Sequence, residues 1–111
     1  MKPPKEETIE AYLVRRAREA GGEVRKVKWI GRKSAPDRVI MLPRGDTAIW
    51  NNWNCTIWVE LKRPGLAAKF PSDAHERAQH REHERMRECG QHVVVIDSKA
   101  GVDALLSWGP K

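Results

Sequence analysis

Long apolar runs are absent from this chain, and none approaches the roughly 20 residues that a helix needs to cross a bilayer. Met1-Lys2-Pro3-Pro4 leads into charge rather than into the apolar core of a signal peptide, so a cytoplasmic protein with no membrane partner is expected. Cysteine is scarce as well. Cys55 and Cys89 form neither a disulfide framework nor a CxxC ligand pair, and two free thiols in a reducing compartment is the reading. Acid is in deficit: 15 Asp and Glu stand against 21 Lys and Arg, giving +6, which favours a polyanionic partner.

What is present fits one small globular domain over residues 1–111. Hydrophobic residues make up 40%, enough for a modest core but short of comfortable stability alone, so self-association is unsurprising.

The spacing of Ile9, Leu13, Ala17 and Ala20 predicts a helix over Lys5 to Ala20, stopped by Gly21-Gly22. Glu10 falls at the margin of its apolar stripe, with Glu6 one turn earlier. Val24 to Ile30 alternates as a half-buried strand, and Gly31 to Pro36 reads as a basic loop. Arg38 to Leu42 is a short buried strand. Pro43-Arg44-Gly45-Asp46 makes a turn, and a strand returns through Trp50 to Lys62, with 51–54 as a bulge or widened loop. Pro64-Gly65 ends that strand, and Leu66 to Ser72 connects to the next element.

Asp73 and Glu76 have capping-box spacing ahead of a helix from Ala74 to Cys89, stopped by Gly90. Its apolar content is thin, leaving Ala78, Met86 and Cys89 to touch the core. Val93 to Ile96 is a β-branched run suited to a strand covered on both faces, and Ser98 to Trp108 closes as a short helix. The order is α-β-β-β-α-β-α, an α/β chain.

The chemistry concentrates at Asp37 and at Glu60-Leu61-Lys62. Side chains alternate along a strand, so Glu60 and Lys62 share one face, and pairing with the Asp37 segment would bring both acids and the ammonium together. Mg²⁺ prefers hard oxygen ligands and keeps several waters, so one or two carboxylates and a substrate phosphate suffice to hold it. A nearby lysine can stabilise developing charge. Two acids and a lysine so placed can make a metal-dependent phosphodiester cutter.

Pro36-Asp37 followed by Glu60-Leu61-Lys62 resembles the PD-(D/E)XK nuclease motif. The surrounding sequence looks like its VRR-NUC branch: Glu6 to Leu13, Gly21-Gly22, Lys26, Ala35 to Arg38, Val59 to Gly65, Gln79, Gly90 and the valine strand. The resemblance covers nearly the whole chain and is to the small stand-alone, phage-type members. It implies a restriction-endonuclease-like fold, a mixed central sheet flanked by helices, and an intracellular protein of phage or prokaryotic type.

It also implies a structure-selective DNA endonuclease, Holliday-junction-resolvase-like, working as a homodimer on branched or duplex DNA with Mg²⁺, or Mn²⁺ in its place, and no small-molecule cofactor. By position, Asp37 and Glu60 would be metal ligands with the Leu61 carbonyl, Lys62 the catalytic lysine, Gln79 a neighbour of the active site, and Glu10 the helix-one acid, reaching the metal through water. Glu6 or Glu7 could serve in place of Glu10. Lys26, Arg32, Lys33, Arg38, Arg77 and Arg81 would contact DNA phosphates without reading bases.

Ala35 replaces the family's usual glycine, the Trp50 to Cys55 stretch is longer than typical, and Asp73 to Ala78 departs from the pattern; all three bear on loop geometry and substrate choice. A flap or single-strand nuclease, or a non-catalytic nucleic-acid-binding module, are the alternatives. His75, His80 and His83 lack cysteine partners at zinc-ligand spacing and read as part of a wet, DNA-facing helix. Trp29 and Trp58 read as core, and Trp50 and Trp53, set among asparagines, as interface residues.

Overall fold

Helix α1 (Ile9–Glu19) begins where Thr8 caps it, its hydroxyl accepting the Ala11 N–H at 3.0 Å. It ends where Gly21, at φ +87°, adopts a left-handed conformation that a side chain would strain. The Gly22 N–H returns to the Ala17 carbonyl and the Gly21 N–H to that of Arg18, a Schellman closure of the last turn. This computed structural model describes residues 7–43 and 55–106. The expected helix start at Lys5 is corrected to Ile9, because Thr8 is extended and caps the first turn; the 51–54 bulge, and Glu6, Trp50, Trp53 and Trp108, lie outside the described residues.

Strands β1 (Glu23–Lys26), β2 (Arg38–Leu42), β3 (Cys55–Leu61) and β4 (His92–Ile96) form a sheet in sequence order. The first two pairings are antiparallel, and β3–β4 is parallel. A parallel neighbour needs a crossover, which α2 (Ala74–Glu88) supplies. A short 3₁₀ turn (Ala67–Lys69) precedes α2, and α3 (Lys99–Leu106) follows β4. The result is the mixed, helix-flanked α/β sheet expected from the sequence.

Alternation divides the sheet into two unlike faces. Ile40, Ile57, Val59 and Ile96 point toward α1 and α3, where they meet Leu13, Ala17, Val102 and Leu105 in one apolar cluster. Full burial of each large aliphatic side chain there contributes about 1.5–3 kcal/mol. Between them, on the other face, lie Trp58, whose indole N–H donates to Gln91 Oε1 just past α2 at 3.1 Å, and Glu60, which meets His83 of α2.

Several expectations are corrected. β1 ends at Lys26 rather than Ile30: the Val27 N–H still reaches the Asp37 carbonyl at 2.9 Å, but the chain then leaves the sheet, and Trp29 turns its indole N–H onto the Pro36 carbonyl at 2.8 Å. Trp29 and Trp58 are not in the core. They pack on each other at 5.2 Å between ring centroids, half-buried, on the α2 side. The face that α2 buries is Gln79, Glu82 and His83, whereas Ala78 and Met86 are half-buried and Cys89 is exposed. β4 is covered on its faces but is an edge strand among the described residues.

Candidate active site

Arg38 pairs with Val59 across β2 and β3, so the register carried one residue further sets Asp37 opposite Glu60. Side chains directly opposite in such a pair stand about 5 Å apart at Cβ. Alternation turns Glu60 and Lys62 to the face that α2 covers, and Asp37, 62% exposed, stands at the strand end opposite them. The Lys62 N–H donates to the Ile96 carbonyl at 2.9 Å, which continues the sheet through the lysine and fixes where its side chain starts.

From α2, three side chains come down onto this pair. Gln79 Oε1 accepts from Lys62 Nζ at 2.5 Å, and Glu76 Oε2 stands 3.2 Å from the same ammonium. His83 Nε2 lies 3.2 Å from Glu60 Oε1. Residues 76, 79 and 83 follow one another at helical spacing, so one face of α2 presents them together. Glu60 is 8% exposed and His83 0%. With its proton on Nε2 the imidazole donates to the carboxylate, leaving buried Nδ1 without a partner.

Phe70 forms the remaining wall. Its ring stacks on His83 at 5.5 Å, and Lys62 Nζ sits 5.0 Å from the ring centroid, a cation–π contact. The segment that carries it is tied down by the Ala67 N–H donating to Asp97 Oδ2 at 3.0 Å. Glu76 accepts from the Ser72 hydroxyl at 2.6 Å and the Ser72 N–H at 2.8 Å. These bonds first, and Lys62 after them, bring its pKa down to about 2.

Arg38 leaves the opposite face of β2, where its guanidinium joins two acids: Glu10 Oε2 at 3.0 Å and Asp37 Oδ1 at 2.9 Å. The helix-one acid thus reaches Asp37 through an arginine. Glu7 pairs instead with Arg15 at 3.0 Å, which holds its carboxyl below the usual range. A cleft of about 710 Å³ opens beside this end of the sheet, with Glu10, Leu61 and Lys62 among its lining residues.

The residues named from the sequence therefore fall into groups. Asp37, Glu60, Lys62 and Gln79 assemble at one end of the β2–β3 pair, and Glu10 joins them at the margin. Lys26, Lys33, Arg77 and Arg81 are exposed. Arg32 is committed to Glu82 at 2.9 Å, lowering that acid's pKa, and Arg38 is only 9% exposed, which turns it from a phosphate contact into an internal counter-charge. His83 is no part of a wet face. It, Phe70 and Glu76 are the site residues that sequence reasoning missed; the 76/79/83 spacing was the available signal.

No three His, Cys, Asp or Glu side chains converge on a common point among the described residues. Two carboxylates and the main-chain carbonyl of Leu61 nevertheless fit a hard divalent cation that keeps water and borrows phosphate oxygens, as Mg²⁺ does.

No protein-family model matches the chain. It is similar to "Putative nuclease p44" of Acyrthosiphon pisum secondary endosymbiont phage 1, 35% identical over 95 residues that span 86% of this chain and 85% of that protein. A solved structure described as "VRR_NUC domain" superposes with a TM-score of 0.66 at 33% identity, covering 89% of this chain and 90% of the other. At that identity, over that share of both chains, and with the fold superposing, the chain belongs to the VRR-NUC domain family of nucleases.

Proposed function

We propose that the chain is a divalent-metal-dependent endodeoxyribonuclease that selects DNA by structure and cuts branched, junction-like substrates as a homodimer. The observation that carries this reading is the convergence of Glu60 and Lys62 on one face, opposite Asp37, with each held by its own residue of α2. A solvated pair of surface charges would not need two buried polar partners from a crossover helix.

Asp37 and Glu60 would hold the cation, with the Leu61 carbonyl as a further oxygen and Glu10 placed to act through water. When bound, Mg²⁺ or Mn²⁺ supplies Lewis-acid polarisation of the phosphoryl oxygen and a more acidic water. Lys62, restrained by Gln79 and Glu76, presents its ammonium to the phosphate oxygen on which charge builds up. Phe70 and His83 keep bulk water from the buried side of Glu60. Exposed Lys26, Lys33, Arg77 and Arg81 supply phosphate contacts that orient the strand. Two-fold pairing would present two such sites, as concerted cutting of two strands requires.

Four-way junction, flap, single-stranded and linear duplex DNA, each incubated with Mg²⁺ and with chelator, test this reading directly. Metal-dependent cleavage strongest on the junction is expected, lost in Asp37→Ala and Lys62→Ala with DNA binding retained. Undiminished cleavage by either variant would overturn the site assignment.

A further inference from the structure

Ile30 is 95% exposed, the most exposed of the large hydrophobic residues among those described. It sits on the segment that leaves the sheet at Lys26 and returns at Asp37, so its two ends flank the β1–β2 pair at the candidate metal ligand. The tip stands clear of the protein: Gly31, at φ +75°, has no atom within 4 Å of where a Cβ would be.

The segment is nevertheless pinned on both sides of that tip. The Val27 N–H bonds to the Asp37 carbonyl, the Trp29 indole to the Pro36 carbonyl, and Trp29 also packs on Trp58. After the tip, Arg32 pairs with the nearly buried Glu82 on α2. Ile30 is thus carried outward on a backbone pinned at both sides rather than on slack chain, and a pinned backbone loses little entropy on binding. Within four residues of it along the chain, Lys26, Lys28 and Lys33 are exposed and take part in no ion pair among the described residues.

We propose that Ile30 is an apolar wedge that packs against unstacked bases at a DNA branch point, while the flanking lysines hold the adjoining phosphates. This rests on the DNA-cleaving reading above and names the feature that would confer its preference for structure. An apolar tip alone could equally meet a second copy of the chain. The three exposed lysines of this segment disfavour that, because two such tips would bring like charges together, whereas a polyanion with exposed base faces satisfies both parts. Linear duplex offers the phosphates but no open step, and a branch offers both.

The test uses the full chain with chelator present, a four-way junction carrying 2-aminopurine at the branch, and a linear duplex of the same arm sequence. Wild-type protein should raise the 2-aminopurine fluorescence as the base unstacks. Ile30→Ser should abolish that rise and weaken junction binding by about tenfold or more, the scale of one buried aliphatic side chain, with duplex binding unchanged. Ile30→Leu should restore both. Equal fluorescence and an equal junction-to-duplex ratio for Ile30→Ser would overturn the wedge, as would a fall in solution mass with unchanged DNA binding, which would assign the tip to self-association. If the wild type neither binds these DNAs nor cuts them when Mg²⁺ is restored, the DNA-cleaving reading itself falls, a failure visible without any variant.

Discussion

His83 Nε2 lies 3.2 Å from Glu60 Oε1, and the imidazole is the most completely enclosed of the buried polar side chains among the described residues. Phe70 stacks against it, so the ring has little freedom to turn away. The consequence is that the direction of the Glu60 carboxylate is set by a residue from another element.

His83→Ala should lower cleavage by about 10- to 100-fold and raise the Mg²⁺ concentration needed for half-maximal rate, the usual cost of losing a partner behind a metal ligand. His83→Gln, which keeps a donor, should recover part of the metal requirement. A titration of rate against Mg²⁺ decides it. If His83 only filled space, the alanine variant would melt earlier without any change in metal requirement.

Much of the fold could be read from the sequence where hydrophobic pattern and turn chemistry coincide. β2, β4 and α3 lie close to their apolar runs, Gly21 stops α1, and Asp73 caps α2 by accepting the Glu76 N–H at 2.8 Å. The failures have a common cause. α2 buries Gln79, Glu82 and His83, so a search for an apolar stripe finds only its margin. Trp29 leaves its strand for a carbonyl seven residues on, a contact that alternation cannot register. Arg38 reads as one more surface cation until the register sets it beside Val59 on the core side, within reach of Glu10. Asp37, Glu60, Lys62 and Gln79 were visible as chemistry, whereas the residues that hold them depend on which helix lands on which face.

Glu76 gives the site a pH signature. Its carboxyl is brought from an ordinary value of 4.5 to about 2, chiefly by the Ser72 hydroxyl and N–H. A group whose pKa is lower in the folded state stabilises the fold above its unfolded value and loses that contribution as pH falls through the folded one. Glu76→Gln should therefore be less stable than wild type at about pH 6, with the difference closing between pH 4.5 and 2. Thermal unfolding at stepped pH measures it. A gap that persists undiminished to the acid end would mean that the carboxylate charge contributes nothing.

Arg38 carries the last prediction. Its guanidinium is nearly buried between Glu10 and Asp37, whose side chains are 44% and 62% exposed. Arg38→Met keeps much of the apolar stem and removes the charge, leaving the two acids to be rehydrated. Because water can reach both, the loss should be about 1–3 kcal/mol, below the cost of stranding a fully buried charge. Denaturant unfolding with chelator present reads that loss. The same substitution frees two carboxylates for a cation, so Mg²⁺ should raise the melting temperature of Arg38→Met more than that of wild type, by linkage to the folded state. Equal Mg²⁺ shifts in the two proteins would show that Arg38 and the metal do not compete for Asp37, and would leave the arginine a purely structural bridge between α1 and β2.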